Sequence, residues 1–369
     1  MKIVVTGGHL TPALAVIEEL RKIQDTEIIF LGRATATEGS KTPSAESIVI
    51  PNLGIRFFSI SVGRLQRRPS IHTIPSLGQI PVGTLQSLAI LSKERPDVIV
   101  SFGSYVAFPV VLAGWVLGIP AITHEQTMKA SLANKLIARF AKKIAVSWEK
   151  SMEDFPKNKT VLVGNPIRKE ILDLKKTRTA KPLIYITGGN QGAHKINEAV
   201  SDILEELLTK YEVVHQTGGN EIYKDYEKLK AASSQLPKKL QNRYLIEKWF
   251  NTEDTVSIFS KASLIVGRSG ANTVSEVAAL GVPAIFIPIP WASADEQTEN
   301  ARLLQEIGAA VILPQDRLTP KRLLNSIDHV IGDYKMFKSN TKKARKFVDK
   351  DAAKKLAQEI QNLAYSNVQ

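Results

Sequence analysis

The residues best suited to chemistry include a glycine-rich turn at 188–193 of the 369-residue chain. The turn follows an apolar run and precedes a helical pattern. Glycine lets the backbone approach a phosphate closely, and the N–H groups of a helix start favour an anion. No Gly-Lys-Ser/Thr follows, so the turn is not a P-loop. The pattern predicts an anion site, and a tight turn without ligand fits it equally well. The candidate residues are Gly189, Asn190, Gln191 and Gly192.

A second turn, at 267–276, also joins a strand pattern to a helix pattern. Ala271, Asn272 and Thr273 are small residues at the helix start, where backbone donors are exposed. Glu276 would lie about one turn inside the helix, as acidic residues near glycine-rich turns often hold a ribose. The density of small residues favours a ligand site over a bare helix cap with a surface carboxylate.

Two further polar segments are candidates for ligand contacts. Glu296 and Gln297 belong to a run of carboxylates and amides able to hold several sugar hydroxyls. Arg168 lies near a predicted domain junction and is suited to a phosphate. A polar helix start and a surface arginine are the simpler interpretations of these two segments.

The first half of the chain contributes a candidate base. His9 follows Gly7 and Gly8 directly after an apolar strand pattern, and a neutral imidazole there can accept a proton from a hydroxyl. A capping or packing histidine is the alternative. His124 and Glu125 end another strand pattern of the same half, which predicts a second acid/base pair facing the same space. No GxSxG nucleophile elbow is present.

Short apolar runs alternate with helical patterns along the whole chain, which predicts parallel strands joined by crossover helices. The runs form two sets, so the chain is predicted to hold two doubly wound α/β domains with ligands bound at the carboxyl ends of their strands. The predicted domains are 1–162 and 163–334, followed by a basic helical segment, 335–369.

Composition excludes several classes of protein. The sequence has no cysteine, so disulfides, thiolate nucleophiles and thiolate metal sites are excluded. The histidines form no pair at metal-ligand spacing. The apolar stretch 98–123 is broken by glycines and prolines, which favours globular core over a membrane span. The apolar run after Lys2 is too short for a signal peptide, so the protein is expected to be cytoplasmic.

The net charge of +13 indicates an anionic partner. Residues 47–93 contain no acidic residue, although a solvated basic face would also explain this stretch. A nucleic-acid binder without enzyme activity is suggested only by this charge, because an aromatic-rich basic patch, a helix-turn-helix and a zinc knuckle are all missing.

Taken together, the motifs resemble the MurG glycosyltransferases, over nearly the whole chain and in the family's order. The motifs lie at 6–9, 12–15, 124–126, 164–168, 188–193, 268–276 and 295–301. The resemblance implies the GT-B fold, in which two Rossmann-like domains face a cleft and a C-terminal helix returns to the first domain. It also implies transfer of N-acetylglucosamine from its UDP derivative to lipid I, with inversion at C1, to form lipid II for peptidoglycan. No cofactor and no bound metal are implied.

The resemblance assigns roles to individual residues. Arg168 and the 188–193 turn would meet the nucleotide and its phosphates, and the Phe250 backbone would meet uracil. Glu276 would hold the ribose, the 271–273 backbone the pyrophosphate, and Gln297 with Glu296 the donor sugar. His9 would be the base. Four residues of the first domain would contact the donor sugar or the acceptor: Gly7, Gly8, Glu125 and Thr127.

The sequence departs from the family in a few positions. Thr127 stands where the family has Asn, Asn190 where it has Ser, and Val4-Val5 where it has further glycines.

A polyprenyl-pyrophosphate acceptor further implies peripheral binding to the cytoplasmic face of the membrane. Basic residues beside apolar ones suit an anionic lipid surface, although the apolar residues also suit a core. The predicted docking residues are Arg64, Arg67, Arg68, Leu77 and Ile80. The alternative enzyme is a related UDP-sugar transferase with another lipid acceptor, such as a diacylglycerol.

Overall fold

The structure is a computed structural model that describes residues 1–35, 43–63, 73–177, 179–189, 191–220, 222–291 and 295–366, with the side chains of 73–77 excepted. The chain divides into two compact units. Unit 1 comprises Met1–Arg168 and Asp349–Gln369, and unit 2 comprises Lys169–Val348. The boundaries fall after residues 168 and 348, where the sequence predicted 162 and 334.

Unit 1 is built on a seven-stranded sheet whose strands are all parallel. The strands are β1 (Lys2–Thr6), β2 (Glu27–Gly32), β3 (Arg56–Ser59), β4 (Val98–Ser101), β5 (Ala121–Glu125), β6 (Lys143–Val146) and β7 (Thr160–Leu162). Their order in the sheet is β3-β2-β1-β4-β5-β6-β7. The central strands are largely apolar because helices cover both faces of the sheet.

The helices of unit 1 form a layer on each face of this sheet. They are α1 (Leu10–Leu20), α2 (Ala45–Asn52), α3 (Thr73–Glu94), α4 (Ser104–Val116), α5 (Leu132–Phe140) and α16 (Ala352–Tyr365), with 3-10 turns at Glu149–Asp154 and Lys157–Lys159. On one face α1 packs with α16 over Ile3 and Val5, and on the other α3, α4 and α5 cover Val4 and Ile99. The prediction that the apolar stretch 98–123 is globular core is thereby confirmed.

Unit 2 repeats the same architecture with a six-stranded parallel sheet. The strands are β8 (Leu183–Thr187), β9 (Glu212–Gln216), β10 (Tyr244–Glu247), β11 (Ala262–Gly267), β12 (Ala284–Phe286) and β13 (Ala310–Ile312). Their order is β10-β9-β8-β11-β12-β13. The helices are α6 (Lys169–Leu172), α7 (His194–Asp202), α8 (Leu204–Lys210), α9 (Asp225–Ser234), α10 (Lys238–Gln241), α11 (Thr252–Lys261), α12 (Ala271–Leu280), α13 (Glu296–Glu306), α14 (Pro320–Gly332) and α15 (Tyr334–Ala344), with 3-10 turns at Gln315–Arg317 and Arg345–Phe347.

Strand order reverses once in each sheet. In unit 1 the chain runs from β1 outward to β2 and β3, then returns to place β4 on the other side of β1. In unit 2 it runs from β8 to β9 and β10, then places β11 on the other side of β8. Ligands of open α/β sheets bind beside such reversals, at the carboxyl ends of the strands. The reversals therefore select the turns after β1 and β4 and those after β8 and β11.

The basic C-terminal segment, 335–369, which the sequence predicted to be helical, contains two helices that belong to different units. Helix α15 and the following 3-10 turn belong to unit 2, and α16 belongs to unit 1. Between them the Asp349 carboxylate accepts the backbone N–H of Asp351 at 2.9 Å, a local bond that competes with helix formation. Among the described residues, none of the helices combines the length and hydropathy needed to cross a bilayer.

Candidate functional site

The reversal point of unit 1 is built from two turns in direct backbone contact. Gly7 has φ +135°, and a Cβ at that position would lie 2.8 Å from the Phe102 backbone. The N–H of Gly8 donates to the Gly103 carbonyl at 3.2 Å. Only glycine permits this approach, so the predicted glycines lock the turn after β1 against the turn after β4.

His9 completes this turn as the N-cap residue of α1. Its side chain is half-buried and makes no capping hydrogen bond to the described residues of α1. Burial lowers the pKa of His9, and the negative charge of Glu125 partly opposes that effect. The imidazole is therefore neutral at pH 7, which is the form that accepts a proton.

His124 was predicted as an acid or base facing the same space as His9, but the structure encloses its side chain in protein. Its ring is fully buried, and burial lowers its pKa to about 4 although the Gly164 carbonyl raises it. Nε2 lies 3.0 Å from that carbonyl and donates to it, so Nδ1 is the atom that accepts from the Gln126 amide at 3.2 Å. The neutral ring joins the end of β5 to the segment after β7.

The Glu125 and Thr127 side chains are both buried, and their polar atoms bond to protein groups. One Glu125 oxygen accepts from the backbone N–H and the hydroxyl of Thr127, at 3.0 and 2.7 Å. The other accepts from Ser131 N at 3.0 Å and Asn134 Nδ2 at 2.9 Å. The Asn134 amide in turn lies against Gly103. The carboxylate thus organises the loop that supports the first reversal point, and the contact of Glu125 or Thr127 with the donor sugar or the acceptor stays a prediction.

In unit 2 the turn after β8 interlocks with the turn after β9. Gly192 has φ +76°, and a Cβ there would lie 2.0 Å from the Thr217 carbonyl oxygen. Gly218 has φ +80°, and its Cβ would meet Gly192 N at 2.1 Å. Gly189, in contrast, is exposed and has no described atom within 4 Å of a Cβ position, which leaves room for a ligand. Gln191 is also exposed, whereas Asn190 lies outside the described residues.

The turn after β11 presents a helix start. Its N-cap is Gly270, which has no side chain to cap α12, and the described space around a Cβ at this position is open. The amides of 271–273 belong to the first turn, where no intrahelical acceptor exists. Arg268 belongs to the same turn and stabilises it by donating hydrogen bonds to the Ile287 carbonyl at 2.8 Å and to Gln315 Oε1 at 2.6 Å. Burial lowers its pKa to about 10, so the group stays a cation.

Glu276 lies one turn into α12 and is half-buried beside the sheet. Burial raises the pKa of the Tyr185 phenol on β8, and the negative charge of Glu276 adds to that effect. Glu276, the predicted ribose contact, and residues 271–273, the predicted pyrophosphate contacts, lie in the same helix, which begins directly after β11.

The remaining predicted donor residues lie around these turns. Gln297 Oε1 accepts from Ile289 N at 3.1 Å, and the Asn300 amide donates to the Ser269 carbonyl at 3.3 Å, so α13 is tied to the turns after β11 and β12. Glu296 opens α13 and Phe250 follows β10, and both are half-buried. Arg168 is half-buried too and is the last residue of unit 1 in its first segment, not a residue of the C-terminal unit.

Sequence reasoning missed the turn after β9 as part of the site. Its signal was the sequence Thr217-Gly218-Gly219, which repeats the letters of the other glycine turns but lacks a helix pattern directly after it. Across the part of the chain that the structure describes, no group of His, Asp and Glu side chains has the arrangement needed to hold a metal ion.

Two family models match the chain. The glycosyltransferase family 28 N-terminal domain matches residues 3–146, and the family 28 C-terminal domain matches 183–358. A curated relative from Thermoanaerobacter sp. (strain X514) is 32% identical, with 97% of each chain covered. The chain belongs to glycosyltransferase family 28. That relative is named UDP-N-acetylglucosamine–N-acetylmuramyl-(pentapeptide) pyrophosphoryl-undecaprenol N-acetylglucosamine transferase, as is one from Bacillus anthracis that is 33% identical over the same share of each chain.

Solved structures confirm the predicted GT-B fold of this family 28 member. The crystal structure of Acinetobacter baumannii MurG is 27% identical, has a TM-score of 0.67, and is matched over 98% of this chain and 99% of that one. A UDP-GlcNAc 2-epimerase from Neisseria meningitidis, bound to UDP-GlcNAc, has the same TM-score at 15% identity over 98% and 100% of the two chains, and this likeness concerns the fold alone.

Proposed function

We propose that the protein transfers N-acetylglucosamine from UDP-N-acetylglucosamine to lipid I, which forms lipid II for peptidoglycan synthesis. The full-length relatives with that name support the assignment. The observation that carries it is the chemistry of the turns at the strand reversal of each unit. The reversal in unit 1 presents a neutral imidazole, and that in unit 2 presents a helix start with a carboxylate one turn inside.

The donor is assigned to the carboxyl ends of the unit 2 strands. The pyrophosphate meets the amides of 271–273 and the exposed turn at Gly189, where backbone N–H groups and helix dipoles favour negative charge. Glu276 accepts hydrogen bonds from the ribose hydroxyls. The Phe250 backbone binds uracil, and Gln297 with Glu296 binds the sugar. Four further residues contact the nucleotide or its phosphates: Arg168, Asn190, Gln191 and Gly192.

The reaction is one displacement with inversion at C1. The acceptor 4-hydroxyl oxygen forms a bond to C1, the bond from C1 to the phosphate oxygen breaks, and UDP leaves with the electron pair. Helix starts preorganised around the pyrophosphate stabilise the charge that develops there. His9 takes the hydroxyl proton, and the lowered pKa keeps its imidazole neutral for this role. Gly7 and Gly8 shape the turn that presents it to the acceptor.

The lipid acceptor requires a peripheral site on the membrane, which we assign to the helical layer α3–α5 of unit 1. Exposed apolar side chains on this layer include Leu85, which is 66% exposed, and Trp115, which is 58% exposed. Lys129, Lys135 and Arg139 lie in the adjoining acid-free segment 126–148. Apolar and basic residues together suit an anionic lipid surface. Arg64, Arg67, Arg68 and the Leu77 side chain lie outside the described residues, and Ile80 is half-buried.

Turnover of labelled UDP-N-acetylglucosamine with lipid I, compared with a diacylglycerol, tests the proposed reaction. The parent is expected to glycosylate lipid I alone, whereas transfer to the diacylglycerol would favour the alternative enzyme. His9→Ala is expected to lower kcat by about 10²–10⁴ and leave UDP affinity unchanged, because the base acts on the acceptor. Normal turnover of this variant from pH 6 to 9 would remove His9 from the mechanism.

Sedimentation with anionic vesicles tests the membrane site. Leu85→Glu combined with Trp115→Ser is expected to reduce sedimentation and leave UDP binding unchanged. Ile222→Glu is the matched control, since Ile222 is 84% exposed but belongs to unit 2. Equal sedimentation of the double variant and the parent at low salt would refute the assignment.

A further inference from the structure

A largely buried hydrogen-bond network, which we call the Asp225 network, is connected to the turns after β8 and β9. It joins α7, β9, α9 and β10 through side chains far apart in sequence. Its members are Tyr244, His215, Asn197, Asp225 and His194, and consecutive members lie 2.8–3.0 Å apart.

The chemistry of the members sets the direction of each bond. Burial lowers the pKa of His215 to about 3, so its ring is neutral. The Asn197 amide donates to the Thr217 carbonyl at 3.0 Å and to Asp225 at 2.8 Å, which leaves its oxygen to accept from His215 Nε2. His215 Nδ1 is then the acceptor of the Tyr244 hydroxyl, 2.9 Å away. Every donor in this series is directed toward Asp225.

Asp225 also orients His194. The second carboxylate oxygen accepts from Nδ1 of His194 at 2.8 Å, while the imidazole stacks on the Tyr223 ring at 3.8 Å with an interplanar angle of 6°. The Asp225 side chain is 10% exposed and that of His194 is 26% exposed. His194 is the first residue of α7, directly after the 188–193 turn. One carboxylate therefore fixes both the start of α7 and, through Asn197, the Thr217 carbonyl.

Three turns meet at Thr217. Its carbonyl lies against Gly192 of the turn after β8. The N–H of Thr217 donates to the Glu247 carbonyl at 3.0 Å, and that of Gly218 donates to the Lys248 carbonyl at 3.1 Å. These bonds reach the end of β10, two residues before Phe250. A shift of Thr217 would move all three turns together.

We propose that Asp225 and His194 are positioning residues for the donor nucleotide, which act by holding the turns after β8, β9 and β10 in the arrangement that binds UDP. This inference rests on the proposed donor site. Without the carboxylate, the Asn197 amide and the His194 ring lose their shared acceptor, and the Thr217 carbonyl loses its orientation. A displacement of about 1 Å at a binding turn is enough to cost tenfold or more in affinity or rate.

Two variants and a conservative partner test the inference, with UDP affinity measured by calorimetry and with KM for donor and acceptor. His194→Ala and Asp225→Ala are expected to weaken UDP binding and raise donor KM about tenfold, while acceptor KM stays at the parent value. Asp225→Asn keeps an oxygen for Asn197, and its amide donates to the other tautomer of His194, so it is expected to recover most of the affinity. Glu198→Ala is the control, because this exposed residue of the same helix forms a surface ion pair with Lys195 at 2.8 Å.

Unchanged UDP affinity and donor KM in His194→Ala and Asp225→Ala would overturn the inference. So would a loss of melting temperature in which donor and acceptor KM change alike, since that pattern belongs to a merely structural network. The proposed function is tested by different outcomes from those that test the role of Asp225. A parent that binds UDP but does not glycosylate lipid I refutes the reaction, while the UDP affinities of the variants still decide the role of Asp225. A parent that binds no UDP refutes both.

Discussion

Glu125→Gln is the substitution that most directly separates a supporting carboxylate from a substrate-binding one. The native side chain is buried in unit 1 and accepts four hydrogen bonds from protein donors. Glutamine has nearly the same shape but presents an NH₂ group in place of one oxygen. In either orientation of the glutamine amide, its NH₂ group faces at least one backbone N–H, and two hydrogen-bond donors then oppose each other.

The least costly orientation directs the NH₂ group at Thr127, whose hydroxyl can turn and accept while its N–H loses its acceptor. The bonds to Ser131 and Asn134 remain, but they lose their charge assistance. Hydrogen bonds to a charged group contribute roughly 1.5–3 kcal/mol and neutral ones roughly 0.5–1.5 kcal/mol. One lost bond and three weakened ones, partly offset by not burying a charge, give a destabilisation of about 2–5 kcal/mol.

Calorimetric melting checks the magnitude. For a domain of this size about 3 kcal/mol corresponds to a decrease in Tm of roughly 10 °C. Glu153→Gln makes the same chemical change at an exposed position and is expected to leave Tm within about 2 °C. Equal melting temperatures for the two variants would refute the supporting role.

The same variant tests the link between Glu125 and His9. The negative charge of Glu125 raises the pKa of His9, so its removal lowers that pKa further. A base that must be neutral then stays active at lower pH, and the acid limb of the pH–rate profile is expected to shift downward. An upward shift of that limb would contradict the assignment of His9 as the base.

Three further predictions concern other parts of the molecule. The folded-state pKa of His124, about 4, lies below its ordinary value of 6.5, so on acidification the unfolded chain binds the proton first. The free energy of unfolding is expected to fall by about 3 kcal/mol as pH drops from 6.5 to 4. A plot of melting temperature against pH should therefore be flatter for His124→Gln than for the parent. Glu276→Ala should weaken UDP binding by about 1–3 kcal/mol in calorimetry but change deoxy-UDP binding little, and an equal loss for both nucleotides would exclude a ribose contact. Gly189→Ala and Gly192→Ala both place alanine at a left-handed φ, a cost of about 1–2 kcal/mol in denaturant unfolding. Only Gly192→Ala also adds a Cβ 2.0 Å from Thr217 O, which should cost roughly 1–3 kcal/mol more.

In unit 1 the central strands were predictable from sequence, whereas the two edge strands, β3 and β7, were not. Residues 3–5 are fully buried because both faces of β1 are covered, and a continuous apolar run records that environment directly. Strands β3 and β7 have one neighbour each within the described sheet, and Arg56 and Leu162 on them are exposed. Their sequences therefore carry no comparable run, and only the tertiary pairing identifies them as strands.

The glycine turns were also set by sequence alone, because a left-handed φ or a close backbone approach is a local requirement that glycine meets. The hydrogen-bond partners of the charged side chains, in contrast, were not determined by the sequence alone. Glu125 and Arg268 have the residue types of ligand contacts, yet both bond to protein groups, and Asp225 finds its partner His194 at a separation of 31 residues. The type of a side chain determines which hydrogen bonds and ion pairs it can form. Which of those bonds form depends on the order of strands in the sheet, and that order is decided by packing between distant segments of the chain.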